Sequence, residues 1–496
     1  MRTHNLRLGF ATNSSSSHSI LILPKGAPPP SSSDVPEDYG WDDFTLADIF
    51  SKQDYFNAQT GYLTGTRNEN DPYVDHQSQW DDLRIKDRLT GESTKSPEVI
   101  AFLHMLLSMD RVVVLGGNDN SDNHPLLESL QSQGAKNLSR HGTWLLVRDP
   151  LKHYVLFNCN DGTKIRLTET GDDAPEKGTW PELVDIKITD HCPYQCNFCY
   201  QDSTPQGKHA PLEYLQALAS RFRESGVLEV AIGGGEPTLH PDFERIVGAF
   251  HSAGVIVNVT SRNVNYWAGL PKVPVTAAAF SVDSAQQIKE IRKKFEVNYP
   301  PFQVHFQAIA GTIDVAEFKL MMEATESYRL TLLGYKDTGR GMAARGSLPI
   351  HRLPAQTEWV APWVARVQAY REQEGARDDW RNRRDCEVVV HLQASGDSRE
   401  RMVEQWEADN PTPQPEFEPN LAIDTTLASL CREELNKAGV PPVTYHTNEG
   451  AFSLYIDAVK GEMGPCSYAP ALMRKCNLDT LWDDFAKMPT LDGGRQ

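Results

Sequence analysis

The sequence predicts an α/β protein whose central part is a parallel sheet built from repeated strand–helix units. Two observations carry that prediction. Between Leu183 and Gly334, short runs rich in β-branched residues alternate with segments whose apolar residues recur every three or four positions. Glycine or small polar residues punctuate the ends of those runs. Repeated βαβ units form a parallel sheet with right-handed crossovers, and ligands gather at the carboxyl ends of its strands. With 496 residues, 39% of them hydrophobic and 23% charged, the chain has material for more than one well-cored domain.

In chain order, residues 1–40 read as a Ser/Pro-rich segment. The stretch Thr12-Asn-Ser-Ser-Ser-Ser17 is by composition a flexible tail. Its apolar flanks, Leu6, Leu8, Phe10 and Ile20 to Leu23, allow a second reading as strand and loop against the body, with the tail acting as a recognition element, a plug or a substrate at the sheet's ligand end. Residues 24–40 form a Pro/Ser linker. Residues 41–178 read as an accessory α/β domain, with helices Glu98–Met109 and Pro125–Ser132 and strands Arg111–Leu115, Trp144–Val147 and Tyr154–Phe157. The Gly116-Gly-Asn-Asp-Asn-Ser121 segment reads as a loop but lacks the Gly-Lys-Ser/Thr of a phosphate-binding loop.

Residues 179–345 form the core. Strand Leu183–Thr189 leads into His191-Cys-Pro-Tyr-Gln-Cys-Asn-Phe-Cys-Tyr200, and the C-x3-C-x2-C spacing of Cys192, Cys196 and Cys199 suits three corners of a [4Fe–4S] cubane, leaving one iron open for chemistry. Zinc is the poorer alternative, since it recruits four ligands and only His191 stands by as a fourth. Helix Pro211–Glu224 places Leu212, Leu215, Leu218, Ala219 and Phe222 on one face, with Gly226 behind it as a cap. Strand Val227–Ile232 then ends in Gly233-Gly-Gly-Glu-Pro237, bare backbone beside one carboxylate. Helix Asp242–Ala253, strand Val255–Thr260, strand Val275–Val282, helix Ser284–Glu296, strand Val304–Ile309, helix Asp314–Ser327 and strand Leu330–Gly334 complete six strands.

These residues resemble the radical S-adenosylmethionine (SAM) superfamily. The resemblance rests on C-x3-C-x-aromatic-C after the first strand, with Phe198 as the aromatic, and on Gly234, Gly235 and Glu236 after the second. It implies a partial (β/α)6 barrel, a [4Fe–4S] cluster on the three cysteines, and SAM chelating the open iron, its amino group near the Gly-Gly-Glu segment. It further implies reductive cleavage of SAM to a 5′-deoxyadenosyl radical that abstracts hydrogen from a substrate, with the electron supplied by a flavodoxin- or ferredoxin-type donor. Ser281 and Asp283 end the fourth strand, where family members contact the SAM ribose; helix capping is the alternative for Asp283. Thr260 to Asn263 face the adenosyl or substrate region or merely turn the chain, and Lys336 and Arg340, after the sixth strand, are expected to meet substrate or the SAM carboxylate.

Residues 346–496 form a substrate-covering extension, interrupted by the Pro-rich segment 409–420. Cys431, Cys466 and Cys476 raise the question of an auxiliary Fe–S cluster in a SPASM- or twitch-like extension, whose flavour Phe452–Ala458 also carries. The C-x2-C pairs usual there are absent, so buried structural thiols are preferred. A formal charge of −18 argues against broad binding to nucleic acid, although Arg381-Asn-Arg-Arg384 is a local basic patch. No apolar run is long enough to span a membrane, and Met1 to Ala11 has no apolar stretch of an export signal, so a reducing cytoplasm is expected. The expected function is a radical SAM enzyme acting on a peptide or protein side chain. A nucleotide or small metabolite is the alternative substrate, and a SAM- and cluster-binding protein without turnover is the alternative from another class.

Overall fold

A computed structural model describes residues 16–168 with short gaps and without 65–83, residues 176–348 except 298 and 327, residues 360–365 except 363, and residues 421–423, 431–437 and 448–492. The segments Thr12–Ser15, Arg381–Arg384 and 409–420 lie outside the described residues. The chain divides into two units, Met1–Glu176 and Lys177–Gln496.

The first unit holds β1 (Ser16–Ile22), β2 (Phe44–Leu46), α1 (Ile49–Thr64), β3 (Ile85–Asp87), α2 (Pro97–Leu107), β4 (Val112–Asn118), α3 (Pro125–Ser132), β5 (Lys136–Asn137), β6 (Trp144–Asp149), β7 (His153–Asn158) and β8 (Lys164–Thr168). They make two four-stranded sheets, β2-β4-β1-β5 and β3-β6-β7-β8. The first corrects two expectations. Gly116, Gly117 and Asn118 are not a loop but the end of β4, because β1 pairs antiparallel with them through His18, Ser17 and Ser16. Ser16 and Ser17 are therefore strand residues of the first unit, where composition had suggested a flexible tail. Ile20 and Ile22 pack into the core beside Val112 and Val114, which anchors the strand.

The second unit holds β9 (Leu183–Thr189), α4 (Leu212–Arg223), β10 (Glu229–Gly234), α5 (Phe243–Ser252), β11 (Ile256–Ser261), α6 (Val264–Ala268), β12 (Ala277–Ser281), α7 (Ala285–Val297), β13 (Gln303–Ile309), α8 (Val315–Thr325), β14 (Arg329–Leu333) and α9 (Arg340–Ala344). Beyond these come β15 (Leu421–Ile423), α10 (Arg432–Lys437), β16 (Asn448–Glu449), β17 (Ser453–Asp457), β18 (Glu462–Gly464), β19 (Arg474–Lys475), α11 (Leu481–Ala486) and β20 (Leu491–Asp492). β9 to β14 pair in parallel in sequence order, the open (β/α) barrel expected. The helices form for the anticipated reasons: α4 buries Leu212, Leu215, Leu218, Ala219 and Phe222, and Asp314 caps α8 by accepting from Glu317 N.

The sheet is nevertheless larger than the six strands read from the sequence. β15 extends it in parallel beyond β14, and β17 lies parallel against β9 with β18 and β19 antiparallel beyond it, giving ten strands. The run around Leu454, Tyr455 and Ile456 is thus a barrel-sheet strand. Lys187 on β9 ties the two strands together, fully buried between Asp457 on β17, 3.1 Å away, and Asp190. The two aspartates raise the proton affinity of Lys187 against burial, which opposes them. Among the described residues no helix is long and apolar enough to cross a membrane.

Candidate active site at the carboxyl ends of the strands

The cysteine loop leaves β9 and folds back on itself. Cys192 N donates to Thr204 O at 2.9 Å, Asp190 N to Lys208 O at 2.7 Å, and Cys199 N to Cys196 O at 3.2 Å. Gln195 takes the left-handed conformation, φ 49°, which turns the chain between the first two thiols. All three thiols are partly buried, and all three line one cavity of about 420 Å³ at the strand ends. Burial pushes the Cys192 and Cys196 thiols up, with Arg262 pulling Cys196 back down.

The donor chemistry fits a cluster better than a single zinc ion. Zinc bonds of about 2.3 Å would bring the sulfurs to about 4 Å from one another. Among the described residues no group of three or more His, Cys, Asp or Glu side chains is arranged to hold a single metal ion. The proposed fourth zinc ligand is also engaged elsewhere, since His191 Nδ1 meets Pro205 O at 2.8 Å. Three soft thiols lining one cavity are the donor set that an iron–sulfur cluster takes.

β10 runs two residues further than expected, through a register shift at Gly233 and Gly234, and delivers its loop against the cysteine loop. Gly235 N donates to Thr189 O at 2.6 Å and Glu236 N to His191 O at 2.8 Å. A Cβ on Gly235 would collide with the His191 carbonyl, so this glycine is required by the chain's own backbone; Gly233, which faces open space, is the one with room for a ligand. Glu236 is 1% exposed. Its Oε1 accepts from Thr238 Oγ1 and Ser261 Oγ, both at 2.7 Å, and from Thr238 N at 3.3 Å, while Oε2 accepts from Arg262 N at 2.8 Å. The carboxylate therefore joins the ends of β10 and β11 while lining the cavity.

The remaining expected residues divide. Phe198, Gly234, Ser281 and Lys336 line the cavity with the cysteines. Ser281 Oγ accepts from Gln307 Nε2 at 2.8 Å. Lys336 Nζ donates to Ser467 Oγ at 3.1 Å and stands 4.6 Å and 5.3 Å from the ring centres of Tyr200 and Tyr468. Asp283 does not line the cavity; its carboxylate is taken by Arg262 at 2.6 and 2.9 Å, and Ser284 Oγ accepts from Gln287 N in the first turn of α7. Arg340 is also drawn elsewhere: Nε reaches Cys196 O at 3.1 Å, Nη1 Asp202 Oδ1 at 2.9 Å and Nη2 Ser203 O at 2.8 Å. It clamps the cysteine loop and is not among the residues that line the cavity.

The opposite wall escaped the sequence reading. Glu449, Tyr455, Cys466, Ser467 and Tyr468 line the same cavity, carried there by β16, β17 and the turn after β18. Burial pushes the Tyr455 hydroxyl and the Cys466 thiol up. Cys466 packs with Tyr468 and Ala469, whereas Cys431 and Cys476 belong to the barrel core, Cys476 beside the Tyr214 hydroxyl. Cys466 thus lies in a different packing cluster from Cys431 and Cys476. The hydroxyl-rich Ser467-Tyr468 step beside Cys466 was the available sequence signal, but no local pattern ties it to β9.

A parallel sheet with a C-x3-C-x2-C loop after its first barrel strand, and Gly-Gly-Glu closing on that loop from the second, defines a class of cofactor-binding barrels. Residues 186–310, from β9 past β13, match the Radical SAM superfamily, and this part of the chain is a radical SAM domain, which uses a [4Fe–4S] cluster and SAM. The chain is similar to a PqqA peptide cyclase of Ruegeria pomeroyi, 31% identical over 103 residues, which are 20% of this chain and 27% of that protein. It is also similar to a GTP 3′,8-cyclase of Psychromonas ingrahamii, 32% identical over 88 residues, which are 17% of this chain and 26% of that protein. The matches to these two relatives thus span about a quarter of their lengths. Among solved structures, Streptococcus suis SuiB bound to precursor peptide SuiA aligns with 67% of this chain and 85% of its own, at 13% identity and a TM-score of 0.41.

Proposed function

We propose that this chain is a radical SAM enzyme acting on a peptide or protein side chain. The observation that carries the reading is that Cys192, Cys196 and Cys199 line one cavity with Gly233 to Glu236 at the strand ends. In this reading the three thiolates hold the cluster and Gly234 to Glu236 approach the SAM amino group. Ser281 meets SAM, Lys336 meets SAM or substrate, and Phe198 packs beside the cluster. When bound, cluster and SAM supply a 5′-deoxyadenosyl radical; the protein orients the parts and excludes competing reactions. A flavodoxin- or ferredoxin-type protein supplies the electron.

Charge balance in the cavity supports a peptide over a nucleoside triphosphate. Of the cations on its walls, Lys187 is offset by Asp190 and Asp457, and Arg262 in part by Asp283. Lys336 faces Ser467 and two tyrosine rings, while Asp185 and Glu449 add negative charge to the lining. A triphosphate needs a surplus of positive charge, whereas a peptide group needs matched donors and acceptors. The relative named GTP 3′,8-cyclase favours the second reading, a nucleotide substrate in the same barrel.

Anaerobic reconstitution, reduction with dithionite and assay of 5′-deoxyadenosine test the activity. Wild type should bind about four iron atoms in this cluster and cleave SAM, and the Cys192→Ala, Cys196→Ala, Cys199→Ala triple variant should do neither. A wild type with full iron and bound SAM that forms no 5′-deoxyadenosine would refute the enzyme in favour of a binder. Substrate class is decided by deuterium: transfer into 5′-deoxyadenosine from deuterated peptides encoded beside the gene is expected, and transfer from deuterated GTP would overturn the peptide assignment.

A further inference from the structure

Arg262 is the charged residue beside the cysteine triad to which the proposed function gives no task. It stands just past β11, and three contacts fix it. Nη1 and Nη2 grip Asp283, beyond the end of β12, at 2.6 and 2.9 Å. Its backbone N–H donates to Glu236 Oε2 at 2.8 Å. Its guanidinium carbon lies 6.0 Å from the ring centre of Phe198, the residue immediately before Cys199. The guanidinium is thus a held charge on a residue that lines the same cavity as the three thiols.

We propose that Arg262 sets the reduction potential of the cluster, holding a positive charge beside the cysteine triad that favours the one-electron-reduced state, with Asp283 as its brace. The proposal rests on the reading of Cys192, Cys196 and Cys199 as cluster ligands. The electrostatics follow from charge counting. Three thiolates around an oxidised [4Fe–4S] core of charge 2+ give a net −1, and one electron from an external donor makes it −2 with no bond broken. A fixed cation stabilises the more negative state, and does so more strongly where water is excluded. Asp283 opposes this only in part, because its side chain is 39% exposed against 22% for Arg262 and solvent screens it more.

The experiment is a potentiometric titration of reconstituted full-length protein without SAM, following the electron paramagnetic resonance signal of the reduced cluster. Two neutral variants, R262Q and R262M, are compared with R262K and wild type at measured iron content. At the wild-type midpoint the neutral variants should show a reduced-to-oxidised ratio about tenfold lower, a midpoint about 59 mV more negative for a one-electron couple. R262K, which keeps the charge and loses the bidentate fork, should stay within about threefold of wild type. Neutral variants with wild-type iron and an unchanged midpoint would overturn the proposal. Should they take up no iron, R262K alone decides, and a displacement of about tenfold there would overturn it. Iron retained in full by the triple cysteine variant would instead strike the cluster reading beneath, whatever Arg262 does.

Discussion

Replacing Glu236 by alanine should damage the fold at the strand ends as well as SAM binding, and the two effects can be worked separately. The carboxylate receives four hydrogen bonds, two from the hydroxyls of Thr238 and Ser261 and two from the backbone N–H groups of Thr238 and Arg262. The hydroxyls can turn to other acceptors, but the two N–H groups cannot, and each buried donor left unpaired costs about 1–3 kcal/mol. Glu236→Ala should therefore destabilise the second unit by about 2–6 kcal/mol, a fall in melting temperature of roughly 3–9 °C for a unit of this size. Glu236→Gln keeps one oxygen for the Thr238 and Ser261 cluster and turns an NH2 toward Arg262 N, so it should lose about half as much. SAM affinity, by equilibrium dialysis on reconstituted protein, should fall by about one to two decades in both, the loss of one charge-assisted hydrogen bond. A melting temperature for Glu236→Ala equal to wild type would refute the carboxylate as the joint between β10 and β11. An unchanged SAM affinity would remove it from the ligand site.

Two further outcomes follow from the same geometry. Gly339 has φ +56°, and a Cβ there would lie 2.6 Å from Tyr200 O and 2.9 Å from Cys199 O; Gly339→Ala should push the cysteine loop off its seat, costing about 1–3 kcal/mol and lowering iron uptake. Gly248→Ala, in α5 with open space around it, is the control and should stabilise by about 0.5–1 kcal/mol; equal iron content and melting temperature in the two variants would refute the close approach. Burial, with Arg329 beside it, holds the His305 imidazole down to about 4, so the folded chain keeps it neutral where the unfolded chain, near 6.5, takes up a proton. Its contribution is then complete above pH 6.5 and is lost as pH falls toward 4, up to about 3 kcal/mol. Denaturant unfolding across that range should show a shallower decline for His305→Gln than for wild type, and identical slopes would count against the buried neutral ring.

What the sequence made legible was whatever is local. The strand and helix rhythm from Leu183 to Gly334 is written in periods of two and nearly four residues, and the cysteine triad and Gly-Gly-Gly-Glu in fixed spacings, so both could be read without knowing the fold. Partner choice across the barrel was not legible. Asp283 presents a carboxylate at a strand end whether it meets a ribose or Arg262, and only the spacing of neighbouring parallel strands decides that Arg262 reaches it first. Arg340 likewise reads as a cation between glycines, yet those glycines exist because the chain lies on the cysteine loop, which brings the guanidinium onto Cys196 O and Ser203 O.

The same distinction separates the two halves of the cavity. The wall that holds the cysteines and Glu236 comes from one continuous stretch, in which each βα unit places the next strand end beside the last. The facing wall arrives through β17, which pairs Leu454 with Val184 and Ile456 with Ile186 across some 270 intervening residues. No hydrophobic period encodes that pairing, because a strand buried on both faces reads the same wherever in the sheet it lies. Its register is pinned instead by one polar contact, the buried Lys187 against Asp457 and Asp190, and a single-residue slip of β17 would turn Tyr455 away from the cavity and strand Asp457 in an apolar core. The cofactor half of the site is therefore specified locally. The half bearing Glu449, Tyr455, Cys466, Ser467 and Tyr468 is specified by contacts distant in sequence: the pairing of β17 with β9, that ion cluster, and the hydrogen bond from Lys336 Nζ to Ser467 Oγ.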